Sequence, residues 1–415
     1  MRRLLIVSAV LVALTAPAQA GPAGDTLREA LYAGSLAEGL ATLSPMAAAG
    51  DTEAAFGVGA LKLAQTVEGL VQTLWRHGFD LPRRGPFLAG LVPPVPQNPA
   101  PELFDYQGMR AMLQALADGL DDARTAFVAA GESGDYVIEL DLLRLRVDAN
   151  GDGRVEEGES LAGVMALLMG GEVADWLAPP KPGEPAQLTT VGFDRADAFW
   201  FAGYTQILAA HADFLLAHDF SAFTDALFHR FFPRAGFPLE AYAAGGALLM
   251  DPDTDTAIAD VVAAIHTINW PVTDAARLAG VRTRLKAVLD FSRANWRAIM
   301  AETDDRRELV PSPRQTPIIP GMSVDAARVA AWLVTLDQAA KVLDGALLVP
   351  HWRFRQGVDL KAYFETATRT DLVMLITGMG ALPFLADGPV AAPADFRAMQ
   401  DAFGSDWPGY AFWFN

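Results

Sequence analysis

The chain has 415 residues, 52% of them hydrophobic, no cysteine, and 32 Lys and Arg against 50 Asp and Glu, a formal charge of −18. That apolar fraction at this length supplies a full core and excludes a disordered chain, while the lack of cysteine excludes disulfides, thiolate metal sites and cysteine nucleophiles. The acidic balance argues against nucleic acid or anionic lipid as the main partner, because both select basic surfaces.

Residues 1–20 read as a secretory signal peptide. Arg2 and Arg3 form a positive start, Leu4 to Leu14 an apolar stretch, and Ala18-Gln19-Ala20 the small-x-small pattern cleaved after Ala20. A dozen or so apolar residues is too short for roughly 30 Å of hydrocarbon, and no later run is long enough, so the expectation is a periplasmic or secreted protein with no membrane span. Residues 21–80 are alanine-rich, with Leu27, Leu31, Leu36, Leu40 and Leu43 at helical spacing, and predict a helical hairpin unit. Within it, Met46 to Gly57 resembles the helix–turn–helix idiom of tetratricopeptide-like repeats, with Gly50-Asp51 ending one helix and starting the next. Residues 81–102 carry Pro82, Pro86, Pro93, Pro94, Pro96, Pro99 and Pro101 and predict a stiff connector. Residues 103–415 form the expected helical main domain.

Residues 148–159 read Asp-Ala-Asn-Gly-Asp-Gly-Arg-Val-Glu-Glu-Gly-Glu. They match the EF-hand calcium loop D-x-[DN]-x-[DN]-G-x5-E at every defined position, and this segment resembles the EF-hand family. The resemblance implies a Ca2+ ion held by side-chain oxygens of Asp148, Asn150 and Asp152, the backbone carbonyl of Arg154, Glu156 directly or through water, and both oxygens of Glu159. Gly153 would permit the sharp turn, and Val155 would pair with a neighbouring loop. Leu161, Val164, Met165 and Leu168 predict an exiting helix, and Leu142, Leu143 and Val147 a short entering one, although Ile138 to Leu142 alternates with period two. Asp251, Asp253 and Asp255 suggest a degenerate second loop over 251–262. That stretch lacks the glycine and has Val262 in place of the closing glutamate, so a helix N-cap is the plainer reading.

A loop is expected over 179–190 and helices over 193–217, 274–302, 324–343 and 360–370. The uncharged run Leu372 to Ala386, broken by Gly378, Gly380 and Pro383, reads as a buried helix and turn. His211 and His218 are seven apart, about 10.5 Å along a helix, which is too far to share one metal. The Glu302 to Glu308 charge cluster reads as a solvated helix end. No nucleophile elbow, P-loop, dinucleotide fingerprint or zincin motif occurs.

The expectation is therefore an all-α, multi-helix, exported calcium-binding protein. It would carry one structural EF-hand-type helix–loop–helix and a helical surface for a protein partner in the cell envelope. One alternative is an exported, hydrolase-like enzyme braced by calcium, with catalytic groups among His211, His218, Asp219 and Glu302 to Asp305. Another is a calcium sensor.

Overall fold

A computed structural model describes residues 21–80, 96–163, 189–303, 305–316 and 324–414. The expected signal peptide, Pro82, Pro86, Pro93, Pro94, the expected helix residues Val164, Met165 and Leu168, most of the expected 179–190 loop, and Asp304 lie outside these residues.

The described chain is mostly helical. Helices α1 (Pro22–Ala33), α2 (Leu36–Ala48) and α3 (Thr52–Arg76) come first, with Gly50 in the left-handed region and Asp51 capping α3 through the Ala54 N–H. α4 (Tyr106–Glu132), α5 (Arg195–Leu216) and α6 (Ser221–Leu227) follow, then α7 (Pro252–Thr267), α8 (Ala275–Ala301) and α9 (Ala326–Leu343). The last four are α10 (Leu360–Thr366), α11 (Leu372–Thr377), α12 (Arg397–Phe403) and α13 (Trp407–Phe414). The sequence ranges for α5, α8 and α9 agree to within two residues at each end.

Aspartate starts many of these helices. Asp51, Asp105, Asp194, Asp251, Asp274, Asp325, Asp359 and Asp371 each accept a backbone N–H of the first turn. Such caps satisfy orphan donors and favour the positive helix end. Part of the chain's acidity is thus a requirement of the fold and carries no information about a partner.

The long helices pack in chain order, α3 on α4, α4 on α5 and α5 on α8. α5 can be sandwiched because it buries small residues, among them Ala198, Ala202, Gly203, Ala209 and Ala212. The first core joins Leu27, Leu43 and Phe56 to Phe127, Ile138 and Phe193, so residues before and after the Pro-rich stretch share one interior. A second core gathers Trp296, Trp332 and Phe414, and a third Leu278, Tyr363 and Phe384. Between α4, α5 and α8, Arg284 donates to Asp121 through two nitrogens at 2.6 and 2.7 Å and to Asp213 at 2.6 Å.

Short strands accompany the helices. β1 (Ile138–Asp141) pairs antiparallel with β2 (Thr190–Phe193), setting Ile138 opposite Phe193 and Leu140 opposite Val191. The period-two alternation before the acidic loop is therefore a strand, followed by one 3-10 turn at Leu142–Arg144, and the short entering helix expected there is absent. β3 (Asn269–Pro271) pairs with β5 (Arg369–Asp371), and β4 (Gly357–Val358) with β6 (Leu385–Ala386). The run 372–386 also departs from expectation. It forms α11 and a 3-10 segment, Met379–Phe384, but Leu372, Ile376, Met379 and Leu382 are exposed, while Leu375 packs on the third core and Ala381 and Phe384 are buried.

Candidate functional site

The 148–159 loop is folded by its own side chains. Asp148 accepts the Gly151 N–H on one carboxylate oxygen and the Gly153 N–H on the other, at 2.7 and 2.9 Å. Asn150 accepts the Asp152 N–H, and Asp152 the Arg154 N–H, both at 2.8 Å. Gly153, at φ 77°, occupies the left-handed region that a side chain would strain. Glu159 is 2% exposed and accepts from the Ala149 and Glu156 N–H groups at 2.9 and 2.8 Å. Glu156 itself precedes a 3-10 turn at Glu157–Glu159. The donor set is all hard oxygen, which suits a calcium ion and no softer metal.

The loop is clamped to the helices around it. The Asp148 carbonyl accepts from Gln72 at 2.8 Å, and the Asp148 N–H donates to Glu68 at 2.8 Å, both residues lying on α3. The Arg146 N–H reaches the Leu31 carbonyl of α1, and Val155 lies against Gly34, where an added Cβ would come within 2.5 Å of its methyl. Position eight of the loop thus packs on the end of a helix and not on a second loop. Glu68 was not legible in the motif. Burial pushes its pKa up, the Asp148 N–H opposes that rise, and the charges of Asp148 and Glu159 add to it. Ala149, Glu159 and Leu161 also form one wall of an apolar cavity of about 440 Å³, faced by Leu63, Val67 and Phe201.

The loop carboxylates bond to backbone N–H groups and do not converge on a point. Among the described residues, the set of three acidic side chains whose oxygens lie within 4.8 Å of one another is Asp194, Glu302 and Glu308. Sequence reasoning placed Glu302 to Glu308 in solvent, yet Glu308 is buried, and one oxygen of Glu302 is buried with no partner. The reason is tertiary. The turn at 306–308 runs against β2, with the Gly192 N–H bonded to the Arg307 carbonyl and no room for a Cβ at Gly192. This brings Glu308 and the C-cap of α8 under the N-terminus of α5.

Burial raises the Glu302 pKa to about 9, with the neighbouring Asp194 and Glu308 charges adding to it and Gln315 opposing. Burial likewise pushes Asp197 well up, beside the Asp194 and Glu308 charges. Carboxyl oxygens of Glu302, Asp194 and Glu308 crowd within 4.8 Å of one another, an arrangement that disfavours three charges and favours a retained proton.

The remaining candidates are separate and structurally engaged. His211 bonds to the Ile207 carbonyl of its own helix and is exposed. His218 is fully buried between the Phe214 carbonyl and the Thr370 hydroxyl, and burial lowers its pKa. Asp219 accepts the Ser221 N–H. Asp251 caps α7 through the Thr254 N–H, and Asp255 accepts from Leu248, Leu249 and Met250. These bonds account for Asp251 and Asp255 without an ion, so calcium stoichiometry is expected to be the same for wild type and Asp253→Ala. A stoichiometry near two that falls to one in the variant would establish a second site. Comparison with known protein families, curated proteins and solved structures finds no match to this chain.

Proposed function

We propose that this chain is an exported calcium-binding protein in which one ion at 148–159 is structural and the helical body is a scaffold for an envelope partner. The ligands would be Asp148, Asn150, Asp152, the Arg154 carbonyl, Glu156 and Glu159. The observation that carries the reading is the position of Glu159, a buried carboxylate at the joint between loop and core. A cation beside it would offset a buried charge that stands, with Asp148, near Glu68. Anchoring to α1 and α3 favours a static brace over a sensor, since opening the loop would break contacts with both helices.

The test is thermal unfolding of the mature chain in calcium and in chelator. At calcium about a hundredfold above Kd, stabilisation is about 2.7 kcal/mol, a rise in Tm of several degrees for a protein of this size. Glu159→Gln should abolish the rise. An identical Tm in calcium and chelator would sink the structural-ion reading. A large calcium-dependent rise in binding of a hydrophobic dye would favour the sensor instead.

A further inference from the structure

The described chain exposes large apolar side chains unevenly. Most of those outside the core fall in 239–265 and 352–382. On α11 and the 3-10 turn after it, Ile376 is 61% and Met379 62% exposed, with Leu372 and Leu382 beside them. Trp352, 76% exposed, is fastened to this surface by its indole N–H on the Ile376 carbonyl, and Arg353 by its guanidinium on the Thr377 carbonyl. An apolar surface of this extent marks a docking site.

We infer that this face docks the protein on a phospholipid bilayer, entering the headgroup region without crossing it. Among the described residues no helix is long and apolar enough to span a membrane, so the mode is interfacial. The composition fits that depth: aliphatic side chains to enter, a tryptophan at the boundary, and the exposed Arg353 and Arg355 to meet lipid phosphates. Within 349–358 and 372–386 the local charge is positive, whereas residues 239–265 hold five acids and no lysine or arginine and lie outside the proposed contact. Residues 349–358 hold two arginines and no acid, residues 372–386 hold no charged residue, and Asp359, Asp371 and Asp387 stand at the margins. At physiological salt, charges more than about 8 Å away are screened, so the bilayer meets the patch and not the net charge. The loop at 148–159 shares no residue with this surface, and the inference stands independently of the calcium reading.

The experiment is co-sedimentation of the mature chain with vesicles of phosphatidylcholine alone and with about a third phosphatidylglycerol. Wild type should sediment with both, more strongly with the second. Ile376→Asp with Met379→Asp should cut the bound fraction about tenfold on both while leaving the melting temperature unchanged, because both side chains are exposed. Arg353→Glu with Arg355→Glu should remove only the preference for anionic vesicles. Quenching of Trp352 emission by brominated lipid, read as the difference from Trp352→Phe, should accompany binding. Wild type left in the supernatant with both vesicles would overturn the proposal, as would full binding by the double aspartate variant. Dimerisation that this variant abolishes, without vesicle binding, would assign the face to a second copy.

Discussion

Arg284→Ala is expected to lower the unfolding free energy by about 3 kcal/mol, the lower end of the range for breaking a buried ion pair from one side. Arg284 bonds to Asp121 on α4 and Asp213 on α5 from its place on α8, so three of the four packed long helices lose their shared polar link at once. Asp213 is mostly buried, and after the substitution its nearest cation is Arg277 at 3.5 Å. That remaining partner is why the lower end applies. Arg284→Lys should recover only part of the loss, because an ammonium cannot present the planar fork that Asp121 receives. The Arg284 bonds hold Asp121 below its ordinary pKa. Its contribution is therefore present above about pH 4, where the unfolded chain is already ionised, and fades as pH falls through the folded value. Urea titrations at pH 7 and pH 3 check both statements: the deficit of Arg284→Ala should be large at the first pH and smaller at the second. An equal deficit at both would mean that packing, not charge, is what Arg284 supplies.

The second large effect has the opposite sign in pH. Glu302 has its folded pKa raised from 4.5 to about 9, mainly by burial and then by the charges of Asp194 and Glu308. Below the unfolded value both states hold the proton and its stabilisation is complete. As pH rises from 4.5 toward 9 the unfolded chain releases the proton first, and stability is lost across that window. Glu302→Gln retains a donor toward Asp194 and cannot ionise. The variant should match wild type near pH 4.5 and melt several degrees above it at pH 8, a difference on the order of a few kcal/mol. A variant that melts below wild type at pH 8 would show that the ionised carboxylate is needed there, as it would be beside a bound cation.

Regular helices were legible after Asp194, Asp274 and Asp325, because cap and stripe are both local signals, whereas the helix expected over 360–370 ends at Thr366 and residues 369–371 form β5. Legibility failed where distant chain decided the outcome. The alternation at Ile138 to Asp141 could be settled as a strand only by β2, about fifty residues later. Glu302 and Glu308 looked like a solvated end because nothing nearby in sequence announces that Gly192 admits their turn against β2. The uncharged run 372–386 misled in the other direction, since hydrophobic composition does not say whether a partner element will cover it. At the loop, the acidic spacing was readable, and those side chains bond the backbone of the turn, whereas Glu68 and Gln72, which hold it from α3, were not readable.

The attachment to α1 of β1, the strand that leads into the 148–159 loop, has a kinetic consequence. The Arg28 guanidinium bonds to the Glu139 carbonyl, and the Asp141 N–H to the Tyr32 hydroxyl, across separations of 111 and 109 residues. Contacts that close so long a segment are assembled late, after the local helices have formed. Interactions absent from the transition state change the unfolding rate and leave the folding rate almost untouched. An ion in this loop would therefore act as a latch: it would lengthen the lifetime of the finished protein without hastening its arrival.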